Sequence, residues 1–283
     1  MKLTSYTVHD TPEWGVLNAT TISRVSHHHG LSSSLREFLL ANPVSDAELL
    51  AKDSPTIEID DIEFLAPLPD AAKIICVGLN YRDHIEEMGR ALPEKPVIFV
   101  RFADTLVGHN QPLELPKASK EFDYEGELAV VIGASLRGAG IAEARAGILG
   151  YSVFNDGTIR DYQRHTHQFT PGKNFPRSGS MGPAIVTSDE VPGIATRSIT
   201  TEVDGTVRQQ SNLDQLVFDI PSLVSYVSEW TALQPGDIIA TGTPGGVGDS
   251  VTPPVWLYAG SRVSVTVDGV GTLSNPVVAE NAP

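Results

Sequence analysis

EFDYEGELAVVIG at residues 121–133, GYSVFNDGTIRDYQ at 150–163 and TPGKNF at 170–175 form the stretch around which this chain is read. Residues i and i+2 of a strand face the same way. That parity places Glu125 and Glu127 on one side of an apolar strand that Leu128, Val130 and Val131 help to bury. Asp156 follows at the end of a second strand, next to a glycine, and Lys173 lies further on in a loop. Two readings stand open here. The acidic groups are either metal ligands or the solvent face of an amphipathic strand plus an ordinary Asn-Asp-Gly turn, and Lys173 is either a site cation or a surface residue. If they hold a metal, an all-oxygen donor set without cysteine suits a hard ion: Mg2+, with Mn2+ or Ca2+ as alternatives.

The composition narrows the function classes. With 283 residues, 41% hydrophobic and 19% charged, the chain is long enough to bury a sizeable core. A formal charge of −15 argues against nucleic acid and anionic membrane as partners, because those contacts are driven by clustered Lys and Arg. A small anionic substrate remains compatible, provided that a cation and a few basic residues create a local positive site. The start, MKLTSYTVHDTPEW, lacks the apolar core of a signal peptide, and no stretch is long and apolar enough to span a bilayer, so a cytoplasmic protein is expected. Cys76 is the only cysteine, which excludes an intrachain disulfide, and its place in KIICVG predicts an inert buried thiol. The 25 glycines and 20 prolines suggest a turn-rich β protein.

Along the chain, residues 1–68 read as a small appended unit and 69–283 as the main domain, with the boundary at the Pro67, Pro69 and Asp70 cluster. LTSYTV and WGVLN are short strand candidates, and SSLREFLLAN and DAELLAKD are short helices. The triplet His27, His28 and His29 in a polar loop is expected to bind nothing specific. After the strand KIICVG, Asn80 and Gly89 bracket a short helix on which His84 and Glu87 share a face. They are either a base with its orienting carboxylate or surface ion-pairing residues. Arg101 and His109 punctuate the segment that follows. Arg160 and Gln163 share a face if their segment is helical, and then either bind a substrate carboxylate or are solvated. VDGT and VDGV are hairpin signals, and PSLVSYVSEW is an amphipathic helix carrying Leu223, Val227 and Trp230. The glycine-rich loop in PGDIIATGTPGGVG (235–248) lacks the endings of both nucleotide-binding loops, but its amides and the Thr243 hydroxyl can cradle a carboxylate.

Six segments together, VGLNYRDHIEEMG (77–89), FDYEGELAVVIG (122–133), GYSVFNDGTIRDYQ, PGKNFP (171–176), PGDIIATGTPGGVG and VDGVGTLSNPV (267–277), resemble the fumarylacetoacetate hydrolase superfamily. The resemblance spans residues from about 73 to 277 in the family's order; the first 70 match only loosely. It implies an α+β, β-rich fold: a mixed β-sandwich or roll as C-terminal domain behind a small N-terminal α/β domain. It further implies a homodimer and a Mg2+-type site formed by Glu125, Glu127 and Asp156. In that pattern His84 and Glu87 are the catalytic pair, Lys173 stabilises an enolate, and Arg160, Gln163 and Thr243 contact substrate. The implied reaction is hydrolysis of a carbon–carbon bond in an acylpyruvate-like or fumarylpyruvate-like 1,3-diketo acid. Decarboxylation, hydration or isomerisation of a related 2-oxo acid on the same site is the alternative. Two departures, Gly157 and PGKNFP, leave the ligand set intact and bear on substrate identity.

Overall fold

The computed structural model describes residues 1–82 and 91–280. The chain is α+β and rich in strand. One large mixed sheet runs, from edge to edge, through strands Thr56–Glu58, Thr21–Ser23, Thr11–Leu17, Lys2–Val8, Gly179–Thr187, Ile148–Asn155, Gly126–Ile132, Ile238–Ala240, Ile74–Gly78 and Val97–Arg101. Along this order the neighbours are antiparallel except for Ile238–Ala240 beside Ile74–Gly78, which run parallel; the short strand Leu106–Val107 also pairs parallel to Gly179–Thr187. A second sheet orders Thr206–Asn212, Ser198–Val203, Arg262–Val267, Gly271–Ala279 and Leu113–Leu115.

Strand Gly126–Ile132 is buried along its whole length, which explains its near-continuous apolar run. Leu128, Val130 and Ile132 enter one core together with Ile199, Val265 and Leu223, the last from helix Ile220–Trp230. Ala129 and Val131, of opposite parity, enter a second core with Leu3, Trp14 and Phe38. The first segment thus hydrogen-bonds to the large sheet through the pairing Leu3↔Ile185 and shares a core with its centre. No helix among the described residues is long and apolar enough to cross a membrane.

Local signals act as their chemistry dictates. Ser34 caps helix Leu35–Ala41 by accepting from Glu37 N, and Asp219 caps Ile220–Trp230 by accepting from Ser222 N. Asp204 and Gly205 both take positive φ, 51° and 75°, as a two-residue hairpin turn requires. Three details differ from expectation. Glu125 lies in the link just before its strand rather than on it. Lys173 ends a single helical turn, Thr170–Lys173, instead of lying in a loop. Trp230, at the last position of its helix, is half exposed, while Leu223 and Val227 carry the buried face.

Two of the three consecutive histidines have local partners. His27 Nε2 lies 3.0 Å from Glu13 Oε1, and His28 Nε2 is within hydrogen-bond distance of Leu50 O and Ser54 Oγ. Burial works to raise the Glu13 pKa, but hydrogen bonds from Arg24 and His27 outweigh it and pull it from the ordinary 4.5 to about 2. A depressed carboxylate stabilises the fold above its unfolded pKa and loses that contribution as pH falls toward its folded one. Glu13→Gln should therefore cost about 1–3 kcal/mol near neutral pH and flatten the loss of stability between about pH 4.5 and 2, read from urea unfolding across that range.

Candidate metal centre

Antiparallel pairing builds the site. Strands Gly126–Ile132 and Ile148–Asn155 meet in the register Gly126↔Asn155 and Glu127↔Phe154, so Glu125 and Asp156 emerge side by side from the same end. Asp156 N donates to Glu125 O at 2.8 Å and locks that crossing. The adjacent strand pairs Ala129↔Ala240, which delivers the glycine-rich loop to Glu127. Gly242 N donates to Glu127 Oε2 at 2.9 Å. Its φ of 102° and the absence of space for a Cβ, which would meet Val77 O at 2.9 Å, make glycine obligatory there.

One oxygen from each of Glu125, Glu127 and Asp156 lies within 4.8 Å of the others, and all three residues are buried. The solvent-face reading is therefore excluded. Lys173, 1% exposed, points its ammonium between two of them, 2.6 Å from Asp156 Oδ2 and 2.8 Å from Glu125 Oε2. Burial disfavours the Lys173 charge, yet Asp156 and Glu125 more than offset it, and the net direction of its pKa is upward. Glu127 behaves differently. Burial first, then the Asp156 and Glu125 charges, push its pKa well above the usual carboxylate range.

Further pairs complete the cluster. Arg101 Nη1 donates to Asp156 Oδ1 at 2.7 Å and to Gly157 O at 2.9 Å, while Nη2 reaches Ser178 Oγ at 2.7 Å. Arg160 Nε donates to Asp123 Oδ2 at 2.8 Å, its Nη1 donates to Gln163 Oε1 at 2.9 Å, and its Nη2 lies 2.8 Å from Glu125 Oε1. With every group counted as ionised, Asp123, Glu125, Glu127 and Asp156 face Arg101, Arg160 and Lys173 with one negative charge in excess among the described residues. The cation partners fall on the first, second and fourth of these carboxylates; Glu127 is met by an amide. An excess of buried carboxylate charge at closely spaced oxygens is what a divalent cation neutralises, so the residues present fit such an ion.

The cluster opens on a cleft of about 420 Å³. Glu125, Glu127, Arg160, Gln163, Lys173 and Thr243, all named from sequence, line it. Asp156 lies behind them, fully buried. Thr243 Oγ1 donates to Gly126 O at 3.0 Å and accepts from Gln209 Nε2 at 2.8 Å, which ties the loop to the strand between the two glutamates. His84 and Glu87 lie outside the described residues. Gly157 is explained by packing, since a Cβ there would meet Ser178 O at 2.0 Å.

Sequence reasoning passed over Arg101, Asp123 and Gln209. Two of them carried a signal. Arg101 shares the buried parity of Phe99, opposite the exposed Val100, and a charged residue at an inward position calls for a buried partner. Asp123 extends the i, i+2 series of Glu125 and Glu127 backwards by one step. Gln209, on a mostly polar strand, offered none.

Comparison with known proteins identifies the family and the fold. Residues 73–278 match the family described as fumarylacetoacetate (FAA) hydrolase C-terminal. The chain belongs to the fumarylacetoacetate hydrolase family. It is 40% identical over 231 residues to the mitochondrial oxaloacetate tautomerase FAHD2A of Bos taurus, covering 81% of this chain and 74% of that one. The oxaloacetate tautomerase YisK of Bacillus subtilis is 39% identical over 223 residues, 77% of this chain and 74% of YisK. The solved fumarylacetoacetate hydrolase of Exiguobacterium antarcticum superposes with a TM-score of 0.88 at 35% identity, covering 99% of this chain and 100% of that one. Maleylpyruvate hydrolase from Sphingobium sp. SYK-6, solved with manganese(II) and pyruvate, superposes at 0.82 with 27% identity and the same coverage.

Within this family fold, removing Arg101 leaves Asp156 with one cation fewer in a dry environment. Arg101→Gln is expected to cost about 3–5 kcal/mol, the usual penalty for breaking a buried pair, in denaturant unfolding of the metal-free protein.

Proposed function

We propose that this family member interconverts the keto and enol forms of a short 2-oxo dicarboxylic acid of the oxaloacetate kind by way of an enolate. The observation that carries the reading is the trio of buried carboxylates whose oxygens lie within 4.8 Å of one another, with the Lys173 ammonium fixed 2.6–2.8 Å from two of them. The curated relatives at about 40% identity, named as oxaloacetate tautomerases, favour tautomerisation over hydrolysis.

A divalent ion held by Glu125, Glu127 and Asp156, Mg2+ or Mn2+ by donor type, would supply Lewis acidity toward the 2-oxo group and so acidify the neighbouring C–H. Lys173 places a fixed positive charge on the cleft wall where enolate charge develops, and because its carboxylate partners hold it in place, that charge requires no reorganisation. Gln163 and Arg160 add donors to the cleft lining, and Leu79, Phe99 and Phe169 contribute apolar surface to it, with the Phe99 ring centroid 5.1 Å from the Lys173 ammonium. In this reading His84, oriented by Glu87, moves the proton. The protein acts as a cytoplasmic homodimer.

A second reading is favoured by the likeness to the maleylpyruvate hydrolase solved with manganese(II) and pyruvate. Here His84 takes a proton from water, which attacks the distal carbonyl of an acylpyruvate, and a pyruvate enolate leaves beside Lys173. The two readings differ in products. Oxaloacetate, acetylpyruvate and fumarylpyruvate are to be offered with and without chelator, following enol absorbance, released CO2 and released pyruvate. Chelator-sensitive enol–keto exchange with no pyruvate from the diketo acids is the expected result; pyruvate release from acetylpyruvate or fumarylpyruvate would transfer the assignment to the hydrolase, and pyruvate with CO2 from oxaloacetate to a decarboxylase. Glu127→Gln should lower the metal-dependent rate by about 100-fold or more, since losing a ligand exceeds the 10–100-fold cost of losing an outer partner. Unchanged turnover in that variant would rule out the metal reading altogether.

A further inference from the structure

Asp123 takes no part in the reaction drawn above, yet it is fully buried and fully engaged. Its Oδ1 accepts from Gly248 N at 2.8 Å and from its own neighbour Tyr124 N at 2.8 Å. Its Oδ2 accepts from Asp249 N at 3.0 Å and from Arg160 Nε at 2.8 Å. One carboxylate therefore joins the far end of the glycine-rich loop to the arginine beside ligand Glu125.

Arg160 is oriented by Asp123 and Gln163 through aligned hydrogen bonds. Toward Glu125 it shows only a close ion contact at 2.8 Å, in which the Nη2 hydrogens do not line up on the oxygen. Arg160 is thus held side-on to Glu125 and shared with a second carboxylate, while Lys173 and Thr158 Oγ1 also reach Glu125. The packing leaves little slack, since a Cβ on Gly248 would sit 2.7 Å from Asp123 Oδ1 and 2.0 Å from Val255 O.

We propose that Asp123 is a positioning residue that sets the divalent-cation affinity of the site by sharing Arg160 with Glu125, so that the guanidinium meets Glu125 through one side-on contact and not with its full fork. Withdrawing the Asp123 charge removes the competitor for the guanidinium. Arg160 then turns its fork onto Glu125, and the one-charge excess of carboxylate that attracts the ion disappears. The same substitution loosens the Gly248 and Asp249 amides, so loop and ligand are disturbed together. This inference rests on the metal reading above but not on the choice of substrate.

The test is Mn2+ binding to the metal-free protein by titration calorimetry, well below its melting temperature. Wild type is compared with Asp123→Asn and with Leu223→Ala, a core substitution in helix Ile220–Trp230 that lowers stability away from the cleft. Mn2+ affinity about 10–100-fold weaker in Asp123→Asn, and unchanged in Leu223→Ala, is the expected result. A lowered melting temperature with wild-type Mn2+ affinity would reduce Asp123 to a structural role and overturn the proposal. If Asp123→Asn does not fold, Asp123→Glu carries the question. It keeps the charge, so Mn2+ affinity within a few-fold of wild type is expected there, and a loss of about 10–100-fold would assign the effect to loop geometry rather than to the Asp123 charge and overturn the proposal. Wild type that binds no Mn2+ would sink the metal reading itself, an outcome distinct from either.

Discussion

Crowding carboxylates in a dry protein interior is the constraint on which the rest of this structure depends. Each of Asp123, Glu125, Glu127 and Asp156 would be costly to bury alone, and their mutual repulsion adds to that cost. The fold meets it with three buried cations, each held by more than one acceptor: Arg101, Arg160 and Lys173. Backbone amides absorb part of the remaining charge. The glycine-rich loop that looked suited to cradling a carboxylate does so, but the carboxylates are the protein's own: Glu127 at Gly242, and Asp123 at Gly248 and Asp249.

Such a cluster can exist only where neighbouring chain segments are rigid. Glu127 lies at the start of a strand buried on both faces between two cores, Asp156 just past the end of its antiparallel neighbour, and the loop bearing Gly242 and Thr243 follows the strand on the other side. Three adjacent strands of one sheet thus deliver two of the three ligands and the amide that meets Glu127, and a fixed register fixes the distances among them. Lys173 arrives differently, from a single helical turn, and reaches its partners because Gly172 lets that turn press against Gln163, where a Cβ would meet backbone N at 2.5 Å.

Several strands and the hairpin at Asp204-Gly205 were legible in the sequence because each depends on neighbours a few residues away. So was the carboxylate trio, through strand parity together with the resemblance of six ordered segments. The surface alternatives were equally legible and are discarded only once burial is known: Lys173 and both glutamates carry ordinary exposed-residue patterns in one dimension. Glu125 was placed on the strand when it precedes it, since parity persists through an extended link that makes no ladder bonds.

Residue order, with the family resemblance, pointed to an α+β chain in which three acidic groups and one lysine fall near strand ends, and left open whether they line a site or the surface. Which cation neutralises which carboxylate emerged only on folding. Arg101 reaches Asp156 across 55 residues and Arg160 reaches Asp123 across 37. Pairings over such separations follow from sheet register and from the absence of water, and neither is a property of any local run of residues.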